Sequence, residues 1–190
     1  MCISVLDNYL LSYQHHIKTV SDISVDDSNN NEICCESNIQ TYSFDDIIKE
    51  VCGDFNVEVL ASVDAISFHD GWLNLIEFKN SSCSGRKTQF GLKRKFNDTV
   101  RYFERRVLGK CLLDQTDIQT RIILVFKPDN PDGYNDVKNR LYNYAKRLPA
   151  DKYKLKTLND YCRFLQLCNE FLVLYSDEFM EEIHKYLPLE

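Results

Sequence analysis

Nowhere does this 190-residue chain approach a long hydrophobic run. A membrane span needs about 18 or more consecutive apolar residues, so none is expected. The opening stretch Met1-Cys2-Ile3-Ser4-Val5-Leu6-Asp7 lacks both a basic n-region and a long apolar core. No secretion signal is expected from it, and the expected location is the cytoplasm. The cysteines contain no C-x-x-C pair, and adjacent Cys34-Cys35 is not a zinc-ligand spacing. In a reducing compartment, the eight cysteines read as reduced, small, buried hydrophobes rather than as a disulfide framework. Lys and Arg are missing altogether between Ser21 and Glu36, where Asp22, Asp26, Asp27, Glu32 and a run of asparagines make an acidic, polar segment. This segment reads as a loop. There is no internal repeat.

What is present is an ordinary globular composition, 44% hydrophobic and 27% charged, with length for one domain rather than two. The net charge of −6 argues against a polyanion partner until its distribution is considered. Between Arg86 and Lys110 nine basic residues face two acidic ones, a local balance of +7 that leaves −13 for the remainder. Such asymmetry is expected of a nucleic-acid-binding face, although a solvated helix surface would also produce it.

The pattern of elements is α/β. Residues 3 to 20 read as a first helix or an irregular lead-in, with Leu6, Leu10, Tyr13 and Ile17 at helical spacing. A helix starts at Ser43, with Asp45 and Asp46 in its first turn and Phe44, Ile47, Ile48 and Val51 as its apolar stripe, and stops near Gly53. Strands are expected over 57–68 and 72–79, joined by Asp70-Gly71, a strong hairpin signal. A helix over 89–108 carries the stripe Leu92, Phe96, Val100, Phe103 and Val107. Thr120 to Phe126 reads as a buried central strand. Helices over 134–148 and 158–168, a strand over 171–175 and a final helix capped by Ser176 complete the chain. The expected layout is an N-terminal helix and acidic loop over 1–42, a core over 43–127, and a mostly helical C-terminal extension over 128–190 packing on the same core. Together these form a mixed β-sheet flanked by helices.

A two-residue turn at Asp70-Gly71 fixes the cross-strand register. His69 faces Trp72, Ile66 faces Leu75, and Asp64 comes opposite Glu77. Asp64, Ile66, Phe68, Leu73, Leu75, Glu77 and Lys79 then share one face, while Val63, Ala65, Ile76 and Phe78 share the other. Two carboxylates about 4.5 to 5.5 Å apart repel unless something compensates them. A divalent cation would do so with hard oxygen ligands, and Lys79 on the same face would hold a water or neutralise charge on a phosphate. A plain ion pair of Lys79 with the two acids is the structural alternative.

Asp64 followed by Glu77-Phe78-Lys79 resembles the D…E-x-K signature of the PD-(D/E)XK nuclease superfamily, and the likeness covers residues 43 to 126 in the order helix, hairpin, helix, strand. Val63 stands where the name-giving proline would be. The resemblance implies a restriction-endonuclease-like core and a Mg²⁺- or Mn²⁺-dependent nuclease acting on DNA rather than RNA. Asp64 and Glu77 would be the metal ligands and Lys79 the helper of the attacking water. It also implies a further metal ligand on the first helix, for which Glu50 is the candidate and Glu58 its competitor. On the helix after the motif, Lys87, Gln89, Lys93, Arg94 and Arg101 would contact nucleic acid. Restriction or antiphage defence, and action as a homodimer or with a partner protein, are contexts the likeness suggests. Two other classes remain open: a non-catalytic subunit with the same fold, and an inhibitor-type protein-interaction module using the acidic segment. His15 and His16 read as exposed residues pointing in different directions. The tyrosines Tyr134, Tyr142, Tyr144 and Tyr153 read as packing rather than base-stacking residues.

Overall fold

Asp70 and Gly71 both adopt positive φ, +49° and +77°. This conformation matches the right-handed twist of two antiparallel strands joined by a two-residue turn. The resulting register is the expected one from His69 opposite Trp72 through Ile66 opposite Leu75 to Ala65 opposite Ile76, where the ladder ends, so the expected pairing of Asp64 with Glu77 is not made. Around this hairpin, a computed structural model describes residues 2–26, 31–80, 85–127 and 155–188.

In chain order the elements are α1 (Cys2–Ser12), β1 (Ile17–Thr19), α2 (Val20–Ile23), β2 (Val25–Asp26), β3 (Glu32–Ile33), β4 (Gln40–Ser43) and α3 (Phe44–Asp54). The hairpin strands β5 (Ala65–His69) and β6 (Trp72–Lys79) follow, then α4 (Arg86–Tyr102), β7 (Gln119–Phe126), α5 (Lys156–Phe164), β8 (Glu170–Tyr175) and α6 (Ser176–Glu182). Six strands form one mixed sheet in the order β1-β4-β5-β6-β7-β8. Pairing is antiparallel from β1 to β6 and parallel from β6 to β8. β2 and β3 form a separate antiparallel ribbon.

Both faces of the sheet are covered. Ile66, Leu73, Leu75, Ile122 and Leu124 pack on Phe44, Ile47 and Ile48 of α3, on Leu92, Phe96 and Val100 of α4, and on Leu158 of α5. On the other face Ala65, Ile76, Phe78, Ile123 and Val125 meet Val20, Phe179 and Tyr186. Asn74, fully buried on that second face, donates from Nδ2 to the Tyr186 carbonyl at 2.9 Å and to Ser67 Oγ at 3.1 Å. It pins the last turn of the chain to the middle of the sheet. No helix among the described residues is long and apolar enough to cross a membrane. Of the described cysteines, Cys34, Cys35, Cys52 and Cys162 are buried and unbridged.

Several boundaries differ from expectation. The first helix stops at Ser12, and Ile17–Thr19 pairs with Gln40–Tyr42 as the edge of the sheet, because this segment lies beside β4 and satisfies its open hydrogen bonds. Residues 21–26 and 31–36 form α2 and the β2–β3 ribbon rather than a plain loop. Residues 57–64 are not strand, and Val57 to Leu60 are exposed with no ladder partner, so β5 begins only at Ala65. The chain bends at Asp64. Val63 therefore packs on the α3–α4 face, not the opposite one, and donates its N–H to Thr99 Oγ1 of α4 at 3.1 Å. The C-terminal part contributes the edge strand β8. The helix expected over 134–148 and all four tyrosines from Tyr134 to Tyr153 lie outside the described residues.

α3 begins with acids at the positive end of its dipole. Asp46 accepts Lys18 Nζ of β1 at 2.7 Å and a hydrogen bond from Ser43 Oγ. Partial burial raises its carboxyl, but the Lys18 ammonium, the Ser43 hydroxyl and Lys49 overcome this and hold it down at about 2. A carboxyl with a depressed folded-state pKa stabilises the fold above its unfolded value, and that contribution is lost as pH falls through the folded value. Asp46→Asn is therefore expected to cost about 1 kcal/mol at pH 7 after allowance for solvent screening. The deficit should shrink between about pH 4 and pH 2, which urea titrations at several pH values would read.

Candidate active site

Asp64 sits in the bend immediately before β5, where its backbone carbonyl accepts the N–H of Phe44, the first residue of α3, at 2.9 Å. Its side chain turns inward. Oδ2 accepts the Phe78 N–H at 2.7 Å, taking the place of the strand neighbour that β6 lacks beyond Ala65, and Oδ1 lies 2.9 Å from Lys95 Nζ. One residue before Phe78, Glu77 points to the α3–α4 face and is completely buried. Its Oε1 lies 2.6 Å from Lys79 Nζ, and the carboxylate also meets Lys95 Nζ at 2.9 Å. The expected trio of Asp64, Glu77 and Lys79 is thus brought together, with Lys95 as a fourth member that binds both acids.

Lys95 was not singled out by sequence. The signal was its position: it lies three residues after buried Leu92 and four before buried Thr99, so the helix turns it toward the sheet while its basic neighbours face away. Its stem packs along the protein and only its head reaches the acids. The third carboxylate of the site was also missed. Asp45, in the first turn of α3, accepts a short hydrogen bond from Ser62 Oγ and lies within electrostatic reach of Asp64 and Lys95.

Glu50, expected to take that place, does not. Its Oε2 accepts from the ring nitrogens of His15 and His16 at 2.8 and 2.6 Å. α3 points its N-terminus at the site, and at about 1.5 Å per residue Glu50 lies too far along the helix. The two imidazoles hold its carboxyl below the ordinary carboxylate value. His15 and His16 in turn do not diverge as expected. They occupy a short 3-10 turn, not an α-helix, with ring centroids 4.3 Å apart, and so reach the same oxygen. Glu58, the competitor, lies in the exposed stretch 57–60.

The charges of the cluster depend strongly on burial. Burial raises the Glu77 carboxyl and the Asp64 charge raises it further, against the pull of Lys95 and Lys79. Burial alone would lower both lysines, yet the Glu77 and Asp64 carboxylates outweigh it and leave Lys79 and Lys95 above the ordinary lysine value. Asp45 is raised by burial, with Ser62 and Lys95 opposing and Asp64 adding. Both lysines are consequently ammonium ions at neutral pH, suited to donating hydrogen bonds and neutralising charge rather than to abstracting protons.

A cleft of about 580 Å³ opens above the cluster, lined among others by Asp45, Asp46, Asp64, Lys79, Lys18 and Thr88. Thr88 belongs to the first turn of α4, so that helix forms one wall. Of the residues expected to contact nucleic acid, Lys87 and Arg94 are exposed one above the other, seven residues apart, with Arg94 loosely paired to Asp98 at 3.5 Å. Arg101 continues the stripe but is tied to buried Glu104 at 2.6 Å. Lys93 lies over the Tyr161 ring at 4.9 Å, and Gln89 accepts from Thr157 Oγ1 at 3.1 Å, so both serve the contact between α4 and α5.

Compared with protein-family models, curated proteins and solved structures, the chain matches none. The site must therefore be read from its chemistry. Two carboxylates, Asp64 and Glu77, meet at one end of the hairpin through a shared Lys95, with Asp45 near Asp64, and Glu77 Oε1 is buried without a hydrogen bond of good geometry, its two ammonium neighbours meeting it as ion pairs. An all-oxygen, anionic donor set of this kind fits Mg²⁺ or Mn²⁺. Asp64 and Glu77 would hold the ion, with Asp45 at the cleft side.

Proposed function

We propose that this chain is a metal-dependent nuclease that hydrolyses phosphodiester bonds of DNA, with a restriction-endonuclease-like core. The observation that carries this reading is the convergence of Asp64, Glu77 and Lys79 at the end of a central hairpin, beneath a charged cleft and beside a basic helix. The alternation of the mixed sheet with α3 before the hairpin and α4 after it is compatible with such a core.

When bound, a divalent cation polarises a phosphate oxygen and lowers the pKa of its water. The remaining work belongs to the chain. Asp64 is oriented by the Phe78 amide and Glu77 by the packed strand, so both hold their oxygens in fixed positions. Lys79, kept protonated by Glu77, donates to the attacking water or to a non-bridging oxygen and offsets the negative charge that builds in the transition state. Lys87 and Arg94 attract the flanking phosphates. Charge reversal at both, Lys87→Glu with Arg94→Glu, is expected to weaken DNA binding at least tenfold and to flatten its salt dependence by about two counterions. Fluorescence anisotropy across a salt series would measure it.

The test is incubation of supercoiled plasmid, single-stranded DNA and RNA with the purified chain in Mg²⁺, Mn²⁺ or EDTA. Cutting of DNA that EDTA stops is expected. No cutting of any substrate, together with no Mn²⁺ uptake in calorimetry, would sink the reading. One observation favours a second reading, a nuclease-fold subunit without turnover: Lys95 already neutralises both acids of the pair. That alternative predicts DNA binding through α4 with no cleavage in any metal.

A further inference from the structure

The Lys95 ammonium lies 2.9 Å from Asp64 Oδ1 and 2.9 Å from the Glu77 carboxylate, bridging the two acids. That is the place a shared cation would take. We propose that Lys95 is a tethered cation that closes this carboxylate pair against divalent metal ions, so that the site exchanges between a lysine-closed and a metal-loaded form and Lys95 sets the metal affinity. The inference deepens the nuclease reading and rests on Asp64 and Glu77 being the metal ligands.

Access supports it. The cleft reaches Asp64 and Lys79 but neither Lys95 nor Glu77, which has no exposed surface at all, and the Lys79 and Lys95 side chains keep 29% and 25% of theirs. An ion coming from the cleft can meet both acids only after an ammonium that covers Glu77 has moved. Lys79 is the less suited to leave: it extends from the same strand as Glu77, two residues on, and its 2.6 Å contact is the shorter. Lys95 comes from a different element, on a flexible four-carbon stem that starts on α4.

Charge supports it as well. Asp45, Asp64 and Glu77 in ionised form against Lys79 and Lys95 leave one negative charge. Replacing Lys95 by a divalent ion leaves the cluster neutral, while holding both would leave it positive in a buried place. Two cations held against the same pair of carboxylates repel each other, so lysine and metal should exclude one another. The same residue also steadies the unliganded site, since without Lys95 only Lys79 would offset the charge of the two acids.

Mn²⁺ binding by the full chain, followed by calorimetry in the absence of nucleic acid, tests the idea in wild type, Lys95→Met, Lys95→Gln and Lys95→Arg. Met keeps the apolar stem without the charge, and Gln keeps a polar head should Met fold poorly. At least tenfold tighter Mn²⁺ binding is expected in Lys95→Met and Lys95→Gln, with a correspondingly larger rise in melting temperature on adding Mn²⁺. Lys95→Arg should stay as weak as wild type, and Asp64→Asn added to Lys95→Met should remove the gain. If a folded Lys95→Met or Lys95→Gln protein, checked by circular dichroism, binds Mn²⁺ no more tightly than wild type, the inference is overturned. Tight binding by these variants, beside a wild type that cuts nothing, would uphold Lys95 as the closing cation and refute turnover. A wild type that cuts DNA while the variants gain no affinity would do the reverse.

Discussion

Asp64→Asn and Lys79→Ala are each expected to slow metal-dependent DNA cleavage at least 100-fold while leaving the chain folded. Asparagine can still accept the Phe78 N–H through its amide oxygen, so the bend before β5 survives, but it removes the negative charge and one hard metal ligand. Lys79→Ala removes the charged donor next to Glu77 and leaves Lys95 to compensate that acid. Loss of one preorganised electrostatic partner of a transition state typically costs about 10²–10³ in rate. The two effects should not add, because both residues act on the same phosphate and water. Single-turnover cleavage of a labelled duplex measures the rates, and Mn²⁺ calorimetry separates them: Asp64→Asn should lose metal binding, and Lys79→Ala should keep it. Cleavage that survives Asp64→Asn within a factor of a few would remove this acid, and with it the proposed centre, from the mechanism.

The largest expected effect on stability lies in α4, at Phe96. This ring is fully buried against the sheet and meets the edge of Phe171 with centroids 6.0 Å apart. Phe96→Ala is expected to cost about 3–5 kcal/mol, the sum of lost transfer energy and a cavity that a packed helix–sheet interface cannot close. Phe90, on the same helix, is 73% exposed, and Phe90→Ala should change stability by less than about 0.5 kcal/mol. Guanidinium denaturation midpoints at constant slope would show the contrast. Because Phe96 adjoins Lys95, the variant is also expected to loosen the hold on Asp64 and Glu77. Equal costs at the two phenylalanines would mean that α4 does not pack on the sheet as described.

The contrast between Phe90 and Phe96 was legible in the chain itself. Leu92, Phe96, Val100 and Phe103 repeat at helical spacing, and Phe90 falls off that stripe. The hairpin was equally legible, since Asp-Gly between two apolar runs leaves one favoured turn, and that turn sets which residues face each other. The helix α3, the buried strand β7 and the strand β8 were visible for the same reason: their signals lie within a few consecutive residues.

The errors share a different physical origin. Glu50 and Asp45 lie on one helix, and nothing local says which end of it meets the hairpin. The answer comes from the Phe44 N–H bonding the Asp64 carbonyl, a contact between residues twenty positions apart. The helical spacing of Leu6, Leu10, Tyr13 and Ile17 runs past the end of α1 because the edge of β4 needs a partner, and Ile17–Thr19 supplies one. His15 and His16 lie beyond the end of that helix, in a 3-10 turn whose geometry brings both rings to one oxygen.

By itself, then, the sequence determined the elements with strong local periodicity, the hairpin register as far as Ala65 opposite Ile76, and the placing of Glu77 and Lys79 on one face at the end where Asp64 lies, because turn geometry and side-chain alternation act over short range. Only the tertiary structure decided that Asp45 rather than Glu50 joins them, that Arg101, Lys93 and Gln89 are engaged within the protein, and that Lys95 binds both acids. Those outcomes depend on how α3 and α4 dock on the sheet, and docking is set by the whole apolar surface being buried at once.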